Sequence, residues 1–191
     1  MRVTSGYYRG KTILAPPEGS VRPTAEKVRQ AVFNTLCHGN TQIGVEDHVR
    51  GSRLIDVFCG TGAMAFEALS RGAEHASCID MDPIALDYCR TNARNLALSD
   101  KMKIISSSAL SPPPAREPCS LVFLDPPYFT ELVPRALRSL SAAGWIKNGA
   151  ICVVETSSNE ILDWPGRAKI LQEKKYGKTR ITFLNWSTKG I

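Results

Sequence analysis

The stretch "IDVFCGTGAMAFEALSRGA", residues 55–73, decides how the chain is read. An apolar run carrying one carboxylate, Asp56, gives way to two glycines and then to a helix-forming segment rich in Ala, Met, Leu and Glu. Strand, Gly-x-Gly and helix together form the βα turn of a parallel sheet, where glycines let the backbone approach a ligand closely. Gly60, Gly62 and Ala65 fit G-x-G-x-x-A, and Asp80 ends the next apolar run about twenty residues on, the spacing of a dinucleotide fingerprint.

Asp56 turns that fingerprint away from NAD. It lies near the end of the strand, four residues before Gly60 and facing the loop. A pyrophosphate there would meet a carboxylate, and at ~4 Å even a well-solvated like-charge pair costs about 1 kcal/mol. S-adenosylmethionine fits better, because it carries an ammonium, a sulfonium and a ribose diol and no phosphate. Asp80 can accept from both ribose hydroxyls. The plainer reading of Asp56 is a helix-capping or loop-ordering acid. Met81 is placed either on an adenine face or in the core. Asp82, just before Pro83, reads as a helix cap.

Outward from the glycine loop the pattern alternates. Strands are expected at 53–58, 75–80, 102–107, 119–124 and 150–155, and helices at 63–71, 83–96 and 131–142. Near-continuous apolar strands alternating with helices argue an α/β fold, a mostly parallel sheet covered on both faces. The tail, "AKILQEKKYGKTRITFLNW", reads as two strands joined near Gly177, an antiparallel hairpin. Residues 1–50 form an extension: a short hairpin over 1–14, an exposed Pro/Gly loop "APPEGSVRP", and a helix capped by Thr24 with Val28, Ala31, Val32 and Leu36 on one face. Residues 51–191 are the main domain.

The fourth strand ends in "LDPPY", residues 124–128. Ligands bind at the carboxyl edge of such sheets, and prolines force the chain out of the ladder there. Asp125 and a prolyl carbonyl from Pro126 or Pro127 make two acceptors aimed at one spot, with the Tyr128 ring beside them. An exocyclic nucleobase amine needs that combination, since its lone pair is delocalised into the ring. Two acceptors can hold its N–H bonds and aim the lone pair, and an aromatic ring can stack on an unstacked base.

The 191 residues are 43% apolar and 22% charged, as in an ordinary globular protein, with no run long enough to span a membrane and no secretory h-region. The six cysteines form no C-x-x-C pair and the three histidines have no ligand spacing, so neither disulfides nor a metal is expected, in a cytoplasmic protein. Net charge is +6, unevenly spread: residues 1–36 carry six Lys/Arg against two acids, residues 166–191 seven against one, and the middle eleven against fifteen. Basic ends around an acidic centre suit a polyanion held by the periphery.

"DVFCGTG", "CIDMD" and "LDPPY" resemble the S-adenosylmethionine-dependent amino-methyltransferases, and "MRVTSGYYRGKTILAPPEGSVRPTAEKVRQAVFNTL" with "ALSRGA" is similar to the bacterial 16S rRNA guanine-N2 methyltransferases of RsmD type. The resemblance runs from Met1 to about Trp186. It implies a Rossmann-like class I methyltransferase sheet of seven strands. It also implies methyl transfer to the N2 amine of a guanine in 16S rRNA, as naked RNA, assembly intermediate or small subunit, by a monomer that releases S-adenosylhomocysteine. Asp125, Pro126, Pro127 and Tyr128 become the amine site, and Asp56, Phe58, Gly60, Gly62, Asp80, Met81, Ser108 and Ala109 the cofactor site. Arg9, Lys11, Arg22 and Arg29 are expected to face RNA, with Thr24 and Asn34 in the front motif; a structural ion pair is the other reading of Arg29. Ser108 departs from the family's usual Asp and Gln30 from its usual Glu, and a hydroxyl is a weaker acceptor for an adenine amine than a carboxylate. A DNA adenine N6-methyltransferase, which shares D-P-P-Y, and a non-catalytic RNA-binding or ribosome-assembly protein are the alternatives.

Overall fold

The computed structural model describes residues 1–16 and 26–188. Seven strands, β1 (Arg53–Val57), β2 (His75–Asp80), β3 (Met102–Ser106), β4 (Cys119–Leu124), β5 (Ile146–Ser157), β6 (Ala168–Tyr176) and β7 (Thr179–Trp186), form one sheet in the order β3-β2-β1-β4-β5-β7-β6. β1 to β5 run parallel, and β7 lies antiparallel between β5 and β6. The turn from β6 to β7 contains Gly177 at φ 62°, where an L side chain would be strained. This is the expected α/β architecture with its terminal hairpin.

Among the described residues four α-helices cover the sheet: α1 (Glu26–His38), α2 (Ala63–Ser70), α3 (Pro83–Asn95) and α4 (Leu132–Ala142). The apolar strands read as continuous because both of their faces are buried. On β4, Leu121 and Phe123 join one core cluster with Val32, Phe33, Leu36 and Phe66, whereas Val122 and Leu124 join another with Val133, Leu137 and Leu140 of α4. Each such Val, Leu or Phe stabilises the fold by about 1.5–3 kcal/mol relative to exposure. α3 starts as expected, with the Asp82 carboxylate accepting from the Ile84 N–H at 2.9 Å and Pro83 in the first turn.

The extension differs from expectation in detail. Residues 1–14 make a single antiparallel bridge, Arg2 to Thr12, rather than two strands. Their loop docks on the C-terminal end of α2, where Tyr7 N–H donates to Ser70 O at 2.8 Å and Tyr8 N–H to Ser70 Oγ at 2.9 Å. Gly6 is required there: its φ is +80° and a Cβ would sit 1.9 Å from Ser70 O. Most of the Pro/Gly loop and the Thr24 cap lie outside the described residues. Val3, Ile13, Val28, Val32, Phe33, Leu36 and Val49 share one core cluster with the central strands. β5 begins at Ile146, earlier than expected, running through exposed Lys147, Asn148 and Gly149 before a register shift against β4. Those three residues interrupt the apolar pattern, so the sequence reading missed them.

Candidate active site

The strand order reverses between β1 and β4, which opens a crevice beyond their carboxyl ends. A cavity of about 950 Å³ lies there, lined by the loop after β1, the ends of β2 and β3, and the loop after β4. The loop after β1 is tightly wound. Phe58, Gly60 and Gly62 have φ of 61°, 53° and 84°, and Gly62 N–H donates to Cys59 O at 2.8 Å. Positive φ at the non-glycine Phe58 is strain that the surrounding structure must hold. A Cβ on Gly62 would lie 2.8 Å from Cys89 Sγ and 2.9 Å from a Phe66 ring carbon.

Two carboxylates fix this loop. Asp80 accepts from Gly60 N–H at 2.8 Å through one oxygen and from Met81 and Asp82 N–H at 2.7 and 3.0 Å through the other. A carboxylate offers about four lone-pair sites, so three are committed to ordering the backbone. Asp56, 3% exposed, accepts from Ala65 N–H at 3.1 Å in the first turn of α2. It thus orders the first turn of α2, as the plainer reading of this acid expects, and it also lines the cavity. Burial pushes its carboxyl well above the usual range; the Ala65 hydrogen bond opposes this, and Cys89, Asp125 and Asp80 add to it.

The charge of the cavity discriminates between ligands. Its described lining carries Asp56, Asp80, Asp82, Asp125 and Glu155 and no Lys, Arg or His side chain. Such a wall repels a pyrophosphate and attracts a cation. Met81, 67% exposed, is at the rim and not in the core. Phe58, Ser108 and Ala109 complete the lining next to it. The Ser108 hydroxyl accepts from Leu110 N–H at 3.1 Å, so it also closes its own turn.

Asp125 follows β4 directly and is half-buried, its N–H directed at Val57 O at 3.4 Å. Pro126, Pro127 and Tyr128 line the same cavity. Pro127 O accepts from Thr130 Oγ1 at 2.6 Å. The Tyr128 ring is not loose: its hydroxyl donates to Glu155 Oε1 at 3.0 Å and lies 3.1 Å from Thr179 Oγ1. These two partners come from β5 and β7, so the antiparallel hairpin reaches into the site. The next residue, Phe129, is 67% exposed at φ 60°. Glu155 and Thr179 were missed by the sequence reading, since neither belongs to a recognisable spacing.

One expectation is corrected. Arg29 does not face RNA: it is 0% exposed, with its Nε 3.5 Å from Glu67 Oε2 and its Nη2 donating to Arg2 O at 2.6 Å. The ion-pair reading of this residue is the one the structure has. Glu67, likewise 0% exposed, also accepts from Arg71 Nε at 2.9 Å and from Thr4 N–H and Oγ1 at 2.8 and 2.6 Å. Arg9 and Lys11 are exposed. Asn34 is exposed beside Arg71 at 3.5 Å. Arg22 and Thr24 lie outside the described residues.

Sequence profiles and known structures match this fold over nearly its whole length. The profile of the family described as "Conserved hypothetical protein 95" matches residues 1–185. The "Uncharacterized methylase RP545" of Rickettsia prowazekii (strain Madrid E) is 27% identical, over 98% of each chain. "Ribosomal RNA small subunit methyltransferase D" of Haemophilus influenzae is 29% identical, over 93% of this chain and 89% of the relative. The solved structure of yhhF from Escherichia coli superposes with a TM-score of 0.83 at 25% identity, covering 99% of both chains. With nearly its whole length matched and the sheet, glycine loop and D-P-P-Y turn in place, the chain belongs to the Conserved hypothetical protein 95 family, the methyltransferases of RsmD type.

Proposed function

We propose that the chain transfers a methyl group from S-adenosylmethionine to the exocyclic N2 amine of a guanine in small-subunit (16S) ribosomal RNA. The observation that carries this reading is the acid-lined cavity in which the Asp125–Tyr128 turn faces the glycine loop. When bound, S-adenosylmethionine supplies an electrophilic methyl group on a sulfonium. Asp80, through its remaining lone pair, and the Gly60–Gly62 backbone would hold the nucleoside end, and Met81, Ala109 and Ser108 would take the adenine. Asp56 and the other cavity carboxylates offset the positive charge.

Asp125 and the carbonyl of Pro126 accept the two N–H bonds of the target amine, and Pro127 O accepts from Thr130 Oγ1 in the turn behind them. Orientation is the main contribution, and Asp125 stabilises the positive charge developing on nitrogen and takes up the proton it sheds. Tyr128, fixed by Glu155 and Thr179, stacks on the flipped base. Arg9 and Lys11 contribute phosphate contacts from the exposed front loop. Support for rRNA as the substrate comes from the Haemophilus influenzae relative, which is named a ribosomal RNA small subunit methyltransferase. Support for guanine N2 comes from the front-motif resemblance.

The direct test replaces Asp125. Asp125→Ala should abolish transfer to 16S rRNA while calorimetric S-adenosylmethionine affinity stays within about tenfold of the parent. Loss of cofactor binding in the folded variant would make Asp125 a structural residue instead.

A further inference from the structure

We propose that Cys59, Cys78 and Cys89 form a binding site for one thiophilic divalent metal ion of the Zn²⁺ class, directly beneath the glycine loop. The three residues come from separate elements: Cys59 from the loop after β1, Cys78 from β2 and Cys89 from α3. Their sulfurs nonetheless all lie within 4.8 Å of one another. Two thiolates on one tetrahedral zinc, at Zn–S of about 2.3 Å, are about 3.8 Å apart. Side-chain adjustments of about 1 Å or less therefore convert the cluster into a coordination set.

Core packing alone does not ask for this convergence. A buried cysteine serves as a small apolar residue, and Cys119 and Cys152, buried in the core on the other face of the sheet, do so without joining the group. Metal entry has a route. Cys78 and Cys89 are 0% exposed, whereas Cys59 is 8% exposed and forms part of the cavity wall. The surroundings favour a cation, because Asp56 and Asp80 lie on the same side.

Binding is balanced as M²⁺ plus three thiols giving a tris-thiolate of net charge −1 and three protons released to solvent. Three protein ligands leave one coordination position for water or a carbonyl. The ion would tie the glycine loop to β2 and α3. Gly62 already sits so close to Cys89 that a Cβ would meet its sulfur at 2.8 Å.

The experiment uses the full chain, reduced and stripped with a chelator, and Cd²⁺ or Zn²⁺ alone as probe. The expected result is one ion per chain, about three protons released, a thiolate-to-Cd²⁺ charge-transfer band, and an X-ray absorption spectrum of the zinc-loaded protein with three sulfur neighbours at about 2.3 Å. Cys78→Ala should weaken binding at least tenfold and Cys152→Ala should leave it unchanged. A zinc shell of only nitrogen and oxygen, no charge-transfer band, or equal binding by Cys78→Ala overturns the proposal. The absorption spectrum is taken on the unaltered chain and decides the matter even if a variant does not fold. No readout involves methyl transfer, so the outcome is separate from that of the methyltransferase reading.

Discussion

Replacing Glu67 by Ala should destabilise this protein more than any other single loss of a carboxylate on its described surface or in its core. Glu67 is 0% exposed on α2, and its oxygens engage Arg29, Arg71 and both the N–H and hydroxyl of Thr4. Without it Arg29, itself 0% exposed, keeps its charge in the core with no carboxylate opposite among the described residues. Breaking a buried pair from one side costs about 3–5 kcal/mol, mostly the penalty of the charge left behind. For a chain of this length each kcal/mol moves Tm by roughly 2–4 °C, so the expected fall is about 6–20 °C. Thermal unfolding followed by circular dichroism, with a urea titration beside it, measures this. The control is Glu117→Ala, which breaks the Arg53–Glu117 pair at 3.2 Å, where the glutamate side chain is 61% exposed. That loss should stay under about 1 kcal/mol. If Glu67→Ala shifts Tm no more than Glu117→Ala does, the buried network does not hold the front segment and α1 to α2.

Gly62→Ala places a Cβ against Cys89 Sγ and Phe66 at a φ of +84°. The strained backbone alone is worth about 1–3 kcal/mol, and calorimetry should show S-adenosylmethionine binding weakened at least tenfold; unchanged affinity would remove the loop from the cofactor site. Asp56→Asn tests the sign of a linkage. Burial raises the Asp56 carboxyl above its ordinary value of 3.8, so the folded state holds the proton more tightly than the unfolded state. Its favourable contribution is complete below pH about 4 and is lost as pH rises through the elevated folded value. The ligand-free Asn variant should therefore gain Tm relative to the parent toward neutral pH while binding the cationic cofactor more weakly. A parent whose advantage over the variant grows with pH would contradict the assignment.

Much of the fold was legible because its signals are local. β2 ends on Asp80 and β4 ends just before Asp125, where the apolar runs stop. Asp82 and Pro83 mark the start of α3 for the same reason. The unread parts depend on partners distant in sequence. Arg29 looked like an RNA contact because nothing near it predicts Glu67, 38 positions on, as its buried counter-ion. Asp80 was read only as a ribose acceptor, yet three backbone N–H groups converge on it once the loop folds back. The anchoring of Tyr128 by Glu155 and Thr179 needs the order β4-β5-β7, which no spacing reveals. The cysteine cluster is assembled where the loop after β1 and helix α3 meet β2, so a search for ligand spacing along the chain passes over it.

The central claim is methyl transfer at guanine N2 in small-subunit rRNA. Purified protein with labelled S-adenosylmethionine, given unmodified 16S rRNA, assembly intermediates and small subunits from cells lacking this gene, tests it most directly, with nucleoside analysis of the labelled RNA. The account predicts label in N2-methylguanosine at a single position, absent with Asp125→Ala. Label in another base, or no transfer to any of these substrates by protein that binds the cofactor, would contradict it.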